Sequence, residues 1–138
     1  MVVRPEVVRE RIAALRESIA RLDEVARLEP DHAAVGWAIE RGLQVAAQAL
    51  FDIGNHVLAG SFSARAADYA SIPGLLRQHG VISTDLESRL AGLAGFRNLL
   101  VHDYARIEPD RVRAMLARTI DFVDFATAVE TWLDKAAP

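Results

Sequence analysis

Apolar residues recur along this chain at intervals of three and four, and each such run predicts a helix. From Pro5 to about Leu28, the positions Val8, Ile12, Leu15, Ile19, Leu22 and Ala26 form one stripe, while Arg9, Glu10, Arg16, Glu17, Asp23 and Arg27 fill much of the rest. That is the pattern of a helix with one buried face. Pro5 suits a first turn, where no amide hydrogen is needed. Glu29, Pro30 and Asp31 end the run, because proline biases its predecessor away from helical geometry. A second helix is expected from about Asp31 to Ala59, with Val35, Ile39, Leu43, Ala46, Leu50, Ile53 and Val57 on one side. At about 1.5 Å per residue it is the longest rod, roughly 40 Å.

Asp68 to His79 reads as a short helix with a turn around Ile72, Pro73 and Gly74, ending at Gly80. The next helix begins at Ser83 or Thr84, with Glu87 three residues beyond Thr84 as in a capping box, and runs through Leu86, Leu90, Leu93 and Phe96. Pro109 marks the first turn of a last helix, with Val112, Leu116, Ile120, Val123 and Ala126 to Trp132 facing inward. No strand alternation, internal repeat or low-complexity tract competes with this. The expected fold class is all-α: a helical bundle of about five helices, four of them long, in a single domain spanning residues 1–138.

Composition narrows the chemistry. The chain has 138 residues, 51% of them hydrophobic and 25% charged, which is enough for one continuous core. With no cysteine, a disulfide framework, a thiolate metal site and a cysteine nucleophile are all excluded. The N-terminus carries charges every few residues, and no apolar run approaches the roughly 18 residues of a membrane helix, so a soluble cytoplasmic protein with no membrane partner is expected. A net charge of −3 offers no general attraction to nucleic acid, and any RNA contact must be local. No dinucleotide, P-loop, zinc-protease or serine-hydrolase motif occurs. The Glu29–His32 pair straddles Pro30, which rules out a di-iron bundle. No cofactor is called for.

The chemistry concentrates in FRNLLVHDY, residues 96–104. Arg97 and Tyr104, seven apart, point the same way on a helix, and Asn98 and His102, four apart, share the adjacent face. Arg97 and His102 themselves differ by about 140° on a regular helix. Their convergence needs the long arginine side chain, a loosened helix end or a second copy of the chain. By spacing alone the cluster also reads as a helix terminus, with Arg97 or His102 favoured by the dipole, Asp103 beside them and Tyr104 anchoring the following loop.

RNLLVHDY fits the RxxxxHxY pattern of HEPN-domain proteins, and the chain resembles the HepT-like toxins that accompany minimal nucleotidyltransferase antitoxins. The likeness extends to the amphipathic first helix, to ERGLQVAAQALFDIGNHVL in the second, and to YASIPGLLRQHG before the motif. The resemblance implies a metal-independent endoribonuclease that acts as a homodimer with its motif at the subunit interface. In such an enzyme the RNA's own 2′-hydroxyl attacks the neighbouring phosphorus. His102 would move protons near neutral pH, and Arg97 would hold the phosphate and stabilise its growing charge. Tyr104 would be the residue to which the nucleotidyltransferase attaches AMP, silencing the site by placing anionic groups beside Arg97.

A second polar group, Asp52, Asn55 and His56, lies three and four apart on the long helix. It reads either as support for the motif from a neighbouring helix or as an interhelical hydrogen-bond network. Asp52 and His56 alone are too few ligands for a metal. Two functional classes follow from the whole sequence: the toxin nuclease of a toxin–antitoxin pair, or a non-catalytic helical module that serves a nucleotidyltransferase as substrate or regulatory subunit.

Overall fold

The apolar stripe of the first helix is buried in the computed structural model, which describes residues 3–28, 32–102 and 106–136. Helix α1 spans Pro5–Val25 with Pro5 in its first turn, and Val8, Ile12, Leu15, Ile19 and Leu22 face the core. The residues expected to end it, Glu29 to Asp31, lie outside the described residues. Helix α2 spans Ala33–Phe62 and starts where His32 Nδ1 accepts the Ala34 amide at 3.1 Å. Its 30 residues make a rod of about 45 Å. Leu43, Ala46, Leu50, Ile53 and Val57 are buried as expected, and so are Phe51 and Leu58, because α2 is central: α1 packs on one side, α3 and α5 on others. Val35 and Ile39, at its start, are only partly covered.

A 3-10 turn, Tyr69–Ser71, leads into α3, Ile72–Gln78. Asp68 starts that turn by accepting hydrogen bonds from the Ser71 amide, at 2.9 Å, and from the Ser71 hydroxyl, and these bonds hold its carboxyl below the usual aspartate range. The rest of the chain forms α4 (Thr84–Arg89), α5 (Leu93–His102), α6 (Pro109–Leu116) and α7 (Ile120–Ala136). No strand occurs among the described residues, and none of their helices is long and apolar enough to cross a membrane.

The all-α class is as expected, but two of the expected helices are each broken once. Gly92 separates α4 from α5 with φ of +86°, a conformation glycine adopts without steric cost. Residues 117–119 separate α6 from α7 and shift the helical phase. Ile120, expected inside, is 57% exposed, whereas Asp121 is buried and accepts from Arg89 at 2.9 Å and Arg118 at 3.1 Å. The capping box is also different. Ser83 accepts the Leu86 amide at 3.1 Å, and Glu87 instead pairs with Arg77 at 2.6 Å, tying α4 to α3.

Close approach of α3 to α2 brings Tyr69 to the side of α2 that carries Gln48. It depends on Gly54, where an added Cβ would lie 2.5 Å from Ile72 Cγ2. Ile72 is fully buried and β-branched, so it has little room to turn away. Gly54→Ala gains at most about 1 kcal/mol of helix propensity and loses up to about 3 kcal/mol to overpacking. A lower urea midpoint is therefore expected. Gly95→Ala, where a Cβ meets nothing within 4 Å, should keep the propensity gain and raise the midpoint. Equal shifts in the two variants would contradict this account of the contact.

Candidate active site

Helix α5 buries Leu93, Ala94, Phe96 and Leu100, and this leaves Arg97, Asn98 and His102 off the core side. Arg97 is held by three neutral groups. Its Nε donates to Gln48 Oε1 at 2.9 Å, its Nη1 donates to Asn98 Oδ1 at 3.0 Å, and its Cζ sits 5.0 Å from the Tyr69 ring centroid. Gln48 in turn donates from Nε2 to Asp52 Oδ1 at 2.9 Å and to the Tyr69 hydroxyl at 3.3 Å. The buried Phe51 ring stacks on Tyr69 at 5.1 Å, nearly parallel. The guanidinium is thus fixed by an amide, a second amide and an aromatic ring, with Gln48 braced by Asp52 and Tyr69 by the buried Phe51.

The choice of partners has an electrostatic consequence. Arg9, Arg16, Arg77, Arg89 and Arg118 all pair directly with carboxylates. Arg97 pairs with no carboxylate among the described residues. Asp52 reaches it only through Gln48. A guanidinium oriented by neutral oxygens keeps its charge and its remaining N–H donors for an incoming anion.

His102 is the last residue of α5, exposed, and its side chain makes no hydrogen bond among the described residues. No hydrogen bond joins it to Arg97 within one chain. Asp103 and Tyr104 lie outside the described residues. The second polar group divides. Asp52 joins the Arg97 network, and exposed Asn55 lines a hollow beside it. His56 is turned toward the α1 seam, where Arg11 and Arg4 act on it and its Nε2 is buried without a hydrogen-bond partner among the described residues. Gln48 and Tyr69 were not singled out from sequence. Gln48 carried a faint signal, since it stands four residues before Asp52, whereas Tyr69 carried none.

His56 gives a pH dependence of stability. Burial first, then the charges of Arg11 and Arg4, hold its pKa below the ordinary histidine value. The folded chain therefore binds this proton less readily than the unfolded one. The stability is present above the ordinary value, about 6.5, and is lost as pH falls through the window between that value and the lowered folded one. Urea unfolding should show a midpoint that falls as pH drops below about 6.5, with a shallower fall in His56→Phe. An unchanged slope would remove His56 as the cause.

Two surface hollows lie along α2 and α5, the first of them walled by the Arg97 partners Tyr69 and Asn98. One, of about 520 Å³, is lined by Asn55, Asp68, Tyr69, Gly95 and Asn98 among others. The other, of about 480 Å³, lies between the first half of α2 and the end of α5, and includes Trp37, Arg41, Leu100 and Ile107. Trp37 is 78% exposed, a large apolar surface left uncovered by the chain's own core.

Comparison with known proteins follows the same lines. A family model described as Ribonuclease HepT-like matches residues 8–130. A tRNA nuclease HepT from Aphanizomenon flos-aquae is 32% identical over 75 residues, which is 53% of this chain and 50% of that protein, so the match spans half the length of the relative. Among solved structures, the cytosolic protein of unknown function YutE from Bacillus subtilis superimposes with a TM-score of 0.88 at 18% identity, covering 98% of this chain and 94% of the other. A tri-AMPylated HEPN toxin from Shewanella oneidensis, in complex with an MNT antitoxin, superimposes with a TM-score of 0.81 at 23% identity, covering 91% and 97%. At these identities the structural matches establish a shared HEPN-like helical fold.

Proposed function

The chain belongs to the HepT-like ribonuclease family, and from that premise we propose that it is a metal-independent endoribonuclease, the cytoplasmic toxin of a pair whose antitoxin is a nucleotidyltransferase. The observation that carries this reading is the guanidinium of Arg97, fixed in place yet unneutralised, on the same short helix as the exposed imidazole of His102.

The reaction needs a base, an acid and a cation. The base takes the proton from a ribose 2′-hydroxyl, whose oxygen then bonds to the adjacent phosphorus. The bond from phosphorus to O5′ breaks, and the acid returns a proton to that oxygen. The products are a 2′,3′-cyclic phosphate and a free 5′-hydroxyl. Arg97 bears on the non-bridging oxygens, where charge grows, and Asn98 keeps its guanidinium in register. One His102 cannot be base and acid at once; a homodimer joined near the end of α5 brings two imidazoles to one cleft. Trp37, exposed beside a hollow that reaches Leu100 of α5 and is rimmed by Glu40, Arg41 and Gln44, is the apolar surface such a twin would cover. Attachment of AMP to Tyr104 would set phosphate close to Arg97 and occupy it, so the antitoxin would act by competition for the cation.

The test is to treat total RNA with the purified chain in the presence of EDTA and map the new ends. Cyclic phosphates paired with 5′-hydroxyls are the expected result. Ends bearing 5′-phosphates, or cleavage abolished by EDTA and restored by a divalent ion, would contradict the metal-independent route.

A further inference from the structure

We propose that the hollow beside Arg97 is a subsite for one unpaired nucleotide flanking the scissile bond, and that Arg65 anchors a phosphate further along the strand; this rests on the ribonuclease reading. The wall nearest Arg97 is made of residues that hold it. Asn98 accepts from Arg97 Nη1 at 3.0 Å, and the Tyr69 ring lies 5.0 Å from its guanidinium carbon. A phosphodiester on Arg97 therefore has a nucleoside beside this hollow. Its volume, about 520 Å³, falls within the usual range for small-ligand pockets, roughly 300–1,000 Å³. Ala66, Ala70, Ala94 and Gly95 keep the remaining walls low.

The polar groups at the rim suit a base edge better than a second phosphate. Asn55 is exposed and has no hydrogen-bond partner among the described residues. Asn98 spends its oxygen on Arg97 and keeps its amide hydrogens. Asp68 commits Oδ1 to Ser71 and keeps Oδ2. Amide donors and acceptors beside a carboxylate oxygen match the mixed edge of an unpaired base and repel a phosphate. The Tyr69 ring is already engaged by Phe51 and Arg97, so selection here works through hydrogen bonds rather than stacking on that ring.

The track continues beyond the base. Asn55 and Ala66 also line an adjoining hollow of about 630 Å³, which ends at Ser63 and Arg65. Arg65 is exposed and has no acidic partner among the described residues. The order along the surface is thus cation, polar hollow, cation: Arg97, then the Asn55–Asp68–Asn98 rim, then Arg65. That alternation is the one a single strand presents as phosphate, base and phosphate.

Gly95 permits a clean test, because a Cβ there meets nothing within 4 Å and its φ is not positive. Gly95→Leu extends into the hollow from an exposed helix position where the added Cβ meets no protein atom; Gly95→Gln is a polar plug should the leucine variant aggregate. The probe is a fluorescein-labelled single-stranded RNA of about 12 nucleotides carrying 2′-O-methyl riboses, followed by anisotropy. The plugged chain should melt no lower than wild type, bind about tenfold more weakly or worse, and shift its cleavage positions on unmodified RNA. Arg65→Gln should lower the slope of log affinity against log salt by about 0.7. Unchanged affinity and cleavage positions in a folded Gly95 variant overturn the subsite and leave the ribonuclease reading intact. Absence of probe binding by the wild-type chain also overturns it. Binding that the plug weakens, in a wild-type chain that cuts no RNA, sustains a nucleotide-binding hollow and overturns the ribonuclease reading, and with it the hollow's place beside a scissile bond.

Discussion

Replacing Arg97 by lysine should lower kcat for RNA cleavage by about 10²–10³-fold, with Tm within a few degrees of wild type. The geometry separates the two substitutes. Arginine presents donors in a rigid planar fork: Nε is taken by Gln48 at 2.9 Å and one Nη1 hydrogen by Asn98 at 3.0 Å, which leaves the rest for phosphate oxygens. A lysine ammonium is a single flexible point that cannot be gripped by both amides and still reach the substrate with paired donors. It would keep the charge and lose the aim. Because only the oriented cation meets charge that develops in the transition state, the loss should fall on kcat more than on KM. Single-turnover cleavage of a defined oligoribonucleotide measures it. A lysine variant cutting within a few-fold of the parental rate would show that charge alone suffices and that the Gln48–Tyr69 support is incidental to catalysis.

His102→Ala is expected to cost about 10²–10⁴-fold without unfolding the chain, because this side chain is exposed and makes no hydrogen bond among the described residues. A stronger form of the test asks how many imidazoles one cleft uses. If each cleavage needs a base from one subunit and an acid from the other, a dimer with a single intact His102 is as inactive as one with none. Co-expression of wild-type and His102→Ala chains in known ratios should then give activity that falls as the square of the wild-type fraction. A linear fall means that one subunit completes the chemistry alone. Parental activity in the pure alanine variant removes His102 from the mechanism.

Much of the fold was legible because its determinants are local. The stripe Val8–Ile12–Leu15–Ile19–Leu22 repeats with the helical period, so its inward face follows from spacing, and it is buried as spacing predicts. The two breaks were not legible for different reasons. Gly92 is one of several glycines, and only its positive φ marks it as a turn. The α6–α7 break lies among residues 117–119, where alanine, arginine and threonine carry no stop signal; Asp121, which becomes buried there, depends on Arg89 from a distant helix.

The candidate site divides along the same line. Arg97, Asn98 and His102 stand out in sequence because polar groups interrupt an apolar run, and Asp52 and Asn55 because they cluster at helical spacing. His56 belongs to that cluster by number, yet faces the α1 seam, since on a crowded central helix a rotation of one residue selects a different neighbour.

The sequence by itself determined the all-α class, the inward faces of the long helices, and the family to which the RNLLVHDY motif points. These follow from short-range periodicity and residue identity. The tertiary structure alone decided that Gln48 and Tyr69, at sequence separations of 49 and 28 from Arg97, would meet it and present its guanidinium with no carboxylate partner among the described residues. The physical reason is that orientation of a charge depends on which helices pack together: α2 against α5 brings Gln48 to Arg97, and the α2–α3 approach at Gly54 brings Tyr69, both through space rather than along the chain.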